Sequence, residues 1–213
     1  MRESLQKKRE RVIKIIEVFE RVYPSADCTL DYMSPLQLLI ATQLAAQCTD
    51  ARVNLVTPAL FERYKTAADF AAADINELME YIRSTGFFRN KAKNIIACCQ
   101  KLIDDFGGEV PQTMEELLTL PGVGRKTANL VLGDSFGIPG IVVDTHATRL
   151  SNRMGLTTEK DPYKIELDLL KIVPPEHQSN FCHCLVFHGR EYCPARTPKC
   201  DICPLSELCP KKI

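Results

Sequence analysis

Several features that define other protein classes are missing from this 213-residue chain. No apolar run approaches the roughly twenty residues that a membrane-spanning helix needs. The opening residues, MRESLQKKRERV, are charged where a secretory signal would be apolar. These two absences predict a soluble, cytoplasmic protein. Net charge is also missing: 27 Lys and Arg balance 27 Asp and Glu, which argues against a chain-wide electrostatic grip on nucleic acid. There is no internal repeat, no low-complexity stretch and none of the apolar–polar alternation that marks half-buried strands. What remains is helical patterning, so the expected fold is all-α. With 45% hydrophobic content, the chain can bury a core for one or two compact domains.

The helices announce themselves by stripes and punctuation. Residues 4–22 place Val12, Ile15, Ile16 and Phe19 on one face. Ser34-Pro35-Leu36-Gln37 is a helix start, with Ser34 as N-cap, Pro35 at the first helical position and Gln37 completing a capping box. The helix that follows is apolar nearly all round and should be central, before it gives way abruptly to AAQCTD, residues 45–50. Asp74 with Glu77 repeats the box, and Gly86 is a plausible stop. Residues 89–106 carry Ile95, Cys99, Leu102 and Phe106 at helical spacing, making Cys99 a core thiol. Helices are also expected from Thr145 to Met154, after Asp161-Pro162, and from Ser179 to His188. Five basic residues, Arg83, Arg89, Lys91, Lys93 and Lys101, lie between Glu80 and Asp104 with no acid among them. Such a run is ordinarily a solvated face.

The organising stretch is Leu117 to Leu150. Thr113 and Glu116 form a third capping-box signature, and the short helix they open must stop at Pro121. Gly122 and Gly124 flank Val123 in a tight turn and allow left-handed angles or close backbone approach. A second helix starts near Arg125, with Ala128, Val131 and Leu132 at helical spacing. The amides of its first turn, at the positive dipole end, can cradle a phosphate. From the residues alone, a hairpin whose glycines merely permit packing fits equally well. Lys126 follows the turn, and Asp144 comes eighteen residues later, after Ile141-Val142-Val143. The pair could serve as nucleophile and carboxylate partner.

Ten cysteines without a secretory segment point away from a disulfide framework. Six are scattered: Cys28, Cys48, Cys98, Cys99, Cys182 and Cys184. Cys193, Cys200, Cys203 and Cys209 give C-x6-C-x2-C-x5-C, interleaved with prolines. Four thiols in a stretch too short to hold itself by packing imply a metal centre. Zinc sites usually use two C-x2-4-C pairs and only one exists here, while four cysteines also suit a [4Fe–4S] cluster.

The run LPGVGRKTAN…VDTH closely resembles the helix-hairpin-helix and catalytic segment of the endonuclease III family of base-excision DNA glycosylases. The resemblance extends in the same motif order from about Leu38 to Cys209, and the family's [4Fe–4S] loop has the same cysteine spacing. It implies a helix-hairpin-helix glycosylase architecture of two helical domains, with DNA bound at the cleft between them. Residues 28–138 would form the barrel-like helical domain, and residues 1–27 and 139–213 the domain with the cluster. It implies a monomer that acts on double-stranded DNA carrying damaged bases or abasic sites. Gly122, Val123, Gly124 and Arg125 would grip the backbone. Arg196, beside Arg190 and Lys199, would meet phosphates. Gln47 would fill the space left by a flipped nucleotide, and Phe87 would act as an apolar wedge, if it is not instead a staple packed on its own helix. Ala45 and Ala147-Thr148 depart from the serine and the bulky pair common in relatives.

The implied activity is a bifunctional glycosylase and abasic-site lyase for oxidised pyrimidines. Lys126 would attack C1′ as a neutral amine, a form that burial and the positive end of a helix both favour for a lysine. Asp144 would stabilise the developing positive charge and cap the helix that follows. Two alternatives stand beside this: a monofunctional mismatch glycosylase, which generally lacks the lysine and carries a further domain, and a non-catalytic iron–sulfur DNA-binding module.

Overall fold

The structure is a computed structural model that describes residues 3–211, and these contain helices and turns but no strand. The α-helices are α1 (Leu5–Val22), α2 (Pro35–Leu44), α3 (Asp50–Arg63), α4 (Ala67–Ala71), α5 (Ile75–Ile82) and α6 (Phe88–Phe106). They continue with α7 (Met114–Leu117), α8 (Arg125–Phe136), α9 (Thr145–Arg153), α10 (Pro162–Leu170) and α11 (Gln178–Glu191), with three short 3₁₀ turns between them. No helix among the described residues is long and apolar enough to cross a membrane.

The chain divides into two compact units: one spans Cys28–Ile138, and the other joins Met1–Asp27 to Pro139–Ile213. In the Cys28–Ile138 unit, α2 is the core element. Leu38, Leu39, Ile40, Ala41 and Leu44 are all fully buried, because a helix that is apolar on every side must be wrapped on every side. Helices α3, α6 and α8 pack against it, while α4 and α5 pack against α6. Tyr64 and Phe70 stack in the same core with ring centroids 5.1 Å apart. In the other unit, α1 lays Val12, Ile15, Ile16 and Phe19 into the interior, and the Phe19 ring meets Phe181 and His188 of α11. Arg11 reinforces this by donating to the carbonyls of Met154 and Leu208, the latter 197 positions away.

Local details depart from the expected capping. Ser34 Oγ caps α2, but Gln37 Oε1 reaches the amide of Met33 rather than that of Ser34. Asp74 accepts from Asn76 and Glu77 amides, whereas the Glu77 carboxylate is drawn off to Arg63 at 2.7 Å. Glu116 returns to the Thr113 hydroxyl instead of its amide. The reciprocal box is found at Thr66 and Asp69, with Asp in the place of the usual Glu or Gln. The β-branched run Ile141-Val142-Val143 forms no strand; Ile141 and Val142 are buried, and the Val142 amide donates to Cys182 Sγ. The basic run is not one solvated face either. Arg83 pairs with Glu80, Lys101 with Asp105, and Lys91 is buried.

The Tyr64–Phe70 stack gives a direct test of this core. Phe70→Ala should lower stability by about 3–5 kcal/mol through lost burial and a cavity. In urea titrations, the double variant with Tyr64→Ala should lose less than the sum of the singles, by about 0.5–1.5 kcal/mol.

Candidate nucleic-acid interface and cysteine loop

The hairpin is built as its sequence requires at one glycine and not at the other. Gly122 has φ +77°, and a Cβ there would sit 2.8 Å from Gln43 Oε1 and 3.0 Å from Asn94 Cβ. Both the left-handed angle and the close approach demand glycine. Gly124 instead has φ −108°, with nothing within 4 Å of a Cβ. Its contribution is different: as N-cap of α8 it brings no side-chain oxygen to the amides of the first turn. Val123 is buried beneath the turn, its amide bonded to Leu120 O. Arg125 is half-buried, and Lys126 stands exposed at the second position of α8. The burial expected for Lys126 is therefore absent, because this position faces outward while Ala128, Val131 and Leu132 take the core.

Three residues assigned from distant stretches meet in one place. Gln47, Phe87 and Gly122 line a pocket of about 170 Å³ together with Gln43, Ala46, Asn90, Lys91 and Asn94. Gln47 and Phe87 both have left-handed backbones, φ 55° and 48°, which is strained for residues with a Cβ. Such strain costs roughly 1–2 kcal/mol per residue and persists only where the surroundings impose it. Both side chains are exposed, Phe87 at 62%, so Phe87 is not a staple packed on α6.

Gln43, Asn90, Lys91 and Asn94 were not singled out from sequence. Gln43 could have been, since it is a polar side chain near the end of a largely apolar helix and lies four residues before Gln47. It is 5% exposed. Burial pushes the neighbouring Cys98 thiol up to about 11 with Gln43 acting in the opposite direction, yet neither amide atom of Gln43 makes a hydrogen bond of ordinary geometry.

In the other unit, half-buried Asp144 is the N-cap of α9, its Oδ1 accepting from the Ala147 amide at 2.7 Å. The four C-terminal cysteines line a second pocket with Leu150, Met154, Leu205, Arg153, His188 and others. Arginines hold this irregular loop. Arg153 donates to Cys193 Sγ, Pro194 O and Ala195 O, and Arg149 donates to Cys193 O. His188 Nε2 lies 3.4 Å from Cys203 Sγ, and the Lys211 amide donates to Cys209 Sγ. Burial pulls the His188 imidazole down to about 4 and raises the Cys203 and Cys209 thiols. Arg196 and Lys199 are exposed on the same loop.

Residues 40–175 match the HhH-GPD superfamily base excision DNA repair protein family. The chain belongs to that superfamily. Its HhH-GPD relatives include Endonuclease III of Synechocystis sp., 55% identical over 97% of this chain and 95% of the relative. Endonuclease III of Bacillus subtilis is 48% identical over 88% of this chain and 86% of its own. A solved Endonuclease III–DNA covalent intermediate, trapped as an estranged-adenine complex, aligns at TM-score 0.90 and 45% identity over 95% of this chain and 96% of that one. A thermostable thymine-DNA glycosylase, at TM-score 0.84 but 24% identity over 98% of each chain, shares the HhH-GPD fold alone.

The two glycines of this HhH-GPD hairpin should separate by mutation. Gly122→Ala should cost about 1–3 kcal/mol, from the left-handed strain and the contact with Gln43. Gly124→Ala should stay within about 0.5 kcal/mol of the parent protein. Gln47→Gly should raise thermal stability by up to about 1 kcal/mol by relieving its left-handed strain. Equal losses at the two glycines, in calorimetry, would contradict the hairpin geometry.

Proposed function

We infer that the chain is a bifunctional DNA glycosylase and abasic-site lyase of base excision repair, removing oxidised pyrimidines from duplex DNA and cutting the strand 3′ to the resulting site. The observation that carries the lyase half is Lys126. An exposed amine stands one residue into the helix after the LPGVG turn, in a chain similar over nearly its whole length to Endonuclease III.

A base within the stack shields its glycosidic bond, so the damaged nucleotide must first be turned out of the duplex. Gln47 and Phe87, exposed on two strained turns that line one pocket, would occupy the space left behind. Gly122, Val123, Gly124 and Arg125 offer the backbone of the α8 N-terminus to a phosphate. The neutral amine of Lys126 forms a bond to C1′ as the bond from C1′ to the base breaks, and the base leaves with a proton. Asp144 stabilises the positive charge that develops on the sugar. The sugar ring then opens as the C1′–O4′ bond breaks and O4′ takes up the proton released by the nitrogen, and the Schiff base so formed makes the C2′ proton removable. Its loss expels the 3′ phosphate by β-elimination. Arg196 adds a phosphate contact from the cysteine loop.

Cys193, Cys200, Cys203 and Cys209 would hold a [4Fe–4S] cluster. The donor set supports it. Four thiols line one pocket with apolar Leu150, Met154 and Leu205; Arg153 donates to Cys193 sulfur, and His188 Nε2 lies 3.4 Å from that of Cys203. When bound, the cluster supplies a cross-link to a loop that has little core of its own.

Borohydride trapping on an abasic-site duplex tests the mechanism. Lys126→Gln should bind lesion DNA yet lose covalent trapping by at least about a thousandfold, the scale of removing a nucleophile. Trapping at the parent rate would assign the chemistry to another amine. Metal analysis tests the loop: purified protein should be yellow-brown with about four irons per chain. Fully active, colourless protein with stoichiometric zinc would overturn the cluster.

A further inference from the structure

Lysine ordinarily keeps its ammonium in water even when its stem is buried. Lys91 does not. It is 6% exposed, and its Nζ donates to Leu44 O at 2.7 Å and to Thr85 O at 2.8 Å. Its backbone amide donates to Phe87 O at 3.1 Å. Burial pulls its pKa down, while the nearby Cys48 acts to hold the charge. Leu44 ends α2 three residues before Gln47, and Thr85 lies two residues before Phe87. One side chain therefore grips both turns that carry the exposed tips.

A simpler role would be a C-terminal cap, since cations favour the carbonyl end of a helix. That accounts for Leu44 O and needs no second acceptor from another element. It also needs no burial, because a solvated lysine caps a helix without desolvation. The second carbonyl and the burial are explained together if the two turns must be held to each other. Each turn has backbone hydrogen bonds of its own, but these bonds lie within a turn, and both tips are exposed with left-handed backbones that neighbours must impose.

We propose that Lys91 is a positioning residue that locks the Gln47 turn to the Phe87 turn, so that the two tips enter a duplex as one unit. This rests on Gln47 and Phe87 being the residues that probe DNA. Tips locked together are not independent: once either is removed, removing the other changes little. Freed from the lock, each acts separately and their losses multiply.

The test is a double-mutant cycle in two backgrounds. Single-turnover excision of thymine glycol from a duplex is divided by strand cleavage at a preformed abasic site, so that unfolded enzyme cancels. With Lys91 present, Gln47→Ala plus Phe87→Ala should lower this ratio no more than about twofold beyond the worse single variant. With Lys91→Met, the two losses should multiply. Lys91→Arg, whose guanidinium can donate to both carbonyls, should restore the coupling. If Lys91→Met does not fold, Lys91→Gln, with two amide N–H donors on a shorter stem, takes its place and should give weakened coupling. The same non-additivity with and without Lys91, or a ratio that Lys91→Met leaves unchanged, overturns the proposal. If Gln47→Ala and Phe87→Ala leave the ratio unchanged while Lys91 is intact, the probing role itself fails. That failure is recognised before Lys91 is altered, and the proposal falls with it.

Discussion

A helix with no polar face has no stable place except inside. That constraint on α2 organises the Cys28–Ile138 unit: α3, α6 and α8 are arranged around it, and its last turn becomes a fixed point from which the chain emerges at Ala45. The hairpin is referred to the same point, because Gly122 lies against Gln43 of α2. So is the Phe87 turn, through the Lys91 ammonium that takes the Leu44 carbonyl. A rigid core element thus sets the separation of three surface features that come from positions 47, 87 and 122. Preorganisation of this kind is what a binding site on loops otherwise lacks.

Much of this was legible because it depends on short-range rules. The stripe of α1, the all-round burial of α2 and the core position of Cys99 follow from period and punctuation, and each lies where those rules put it, whereas α7 ends at Leu117, short of the stop expected at Pro121. The failures have more than one cause. Gln37 misses its capping box by a single residue, taking the Met33 amide in place of that of Ser34. Glu77 carries a capping signature too, but Arg63, 14 positions away, is a partner that the fold brings near. Lys91 looked like one charge among five on a solvated run, and no local pattern marks the one that turns inward. Its partners lie 47 and 6 positions away. Lys126 was expected in a buried setting because the chemistry asks for it, whereas the helix period puts that position on the outside.

The cysteine loop shows how little apolar packing can be replaced by directed bonds. Leu205 is its buried anchor, and the rest of the path is fixed by arginine donors to backbone carbonyls and sulfur. Arg153 serves the start of the loop at Cys193 and, through its own carbonyl, the thiol of Cys209 near its end. A planar fork with several donors suits this task better than an ammonium could.

The link from Arg11 to the Leu208 carbonyl carries a consequence for synthesis. Helix α1 is made first, yet the elements that bury Val12, Ile15, Ile16 and Phe19 follow residue 138. As the chain leaves the ribosome, this amphipathic helix waits with its apolar stripe uncovered while the intervening 111-residue unit, Cys28–Ile138, is made and can fold on its own schedule. Closure of the remaining unit is a long-range event that couples the earliest and the latest segments, the kind of contact that slows folding. An incomplete chain is thereby left with a sticky first helix, a mark by which chaperones and proteases can tell an unfinished copy from a finished one.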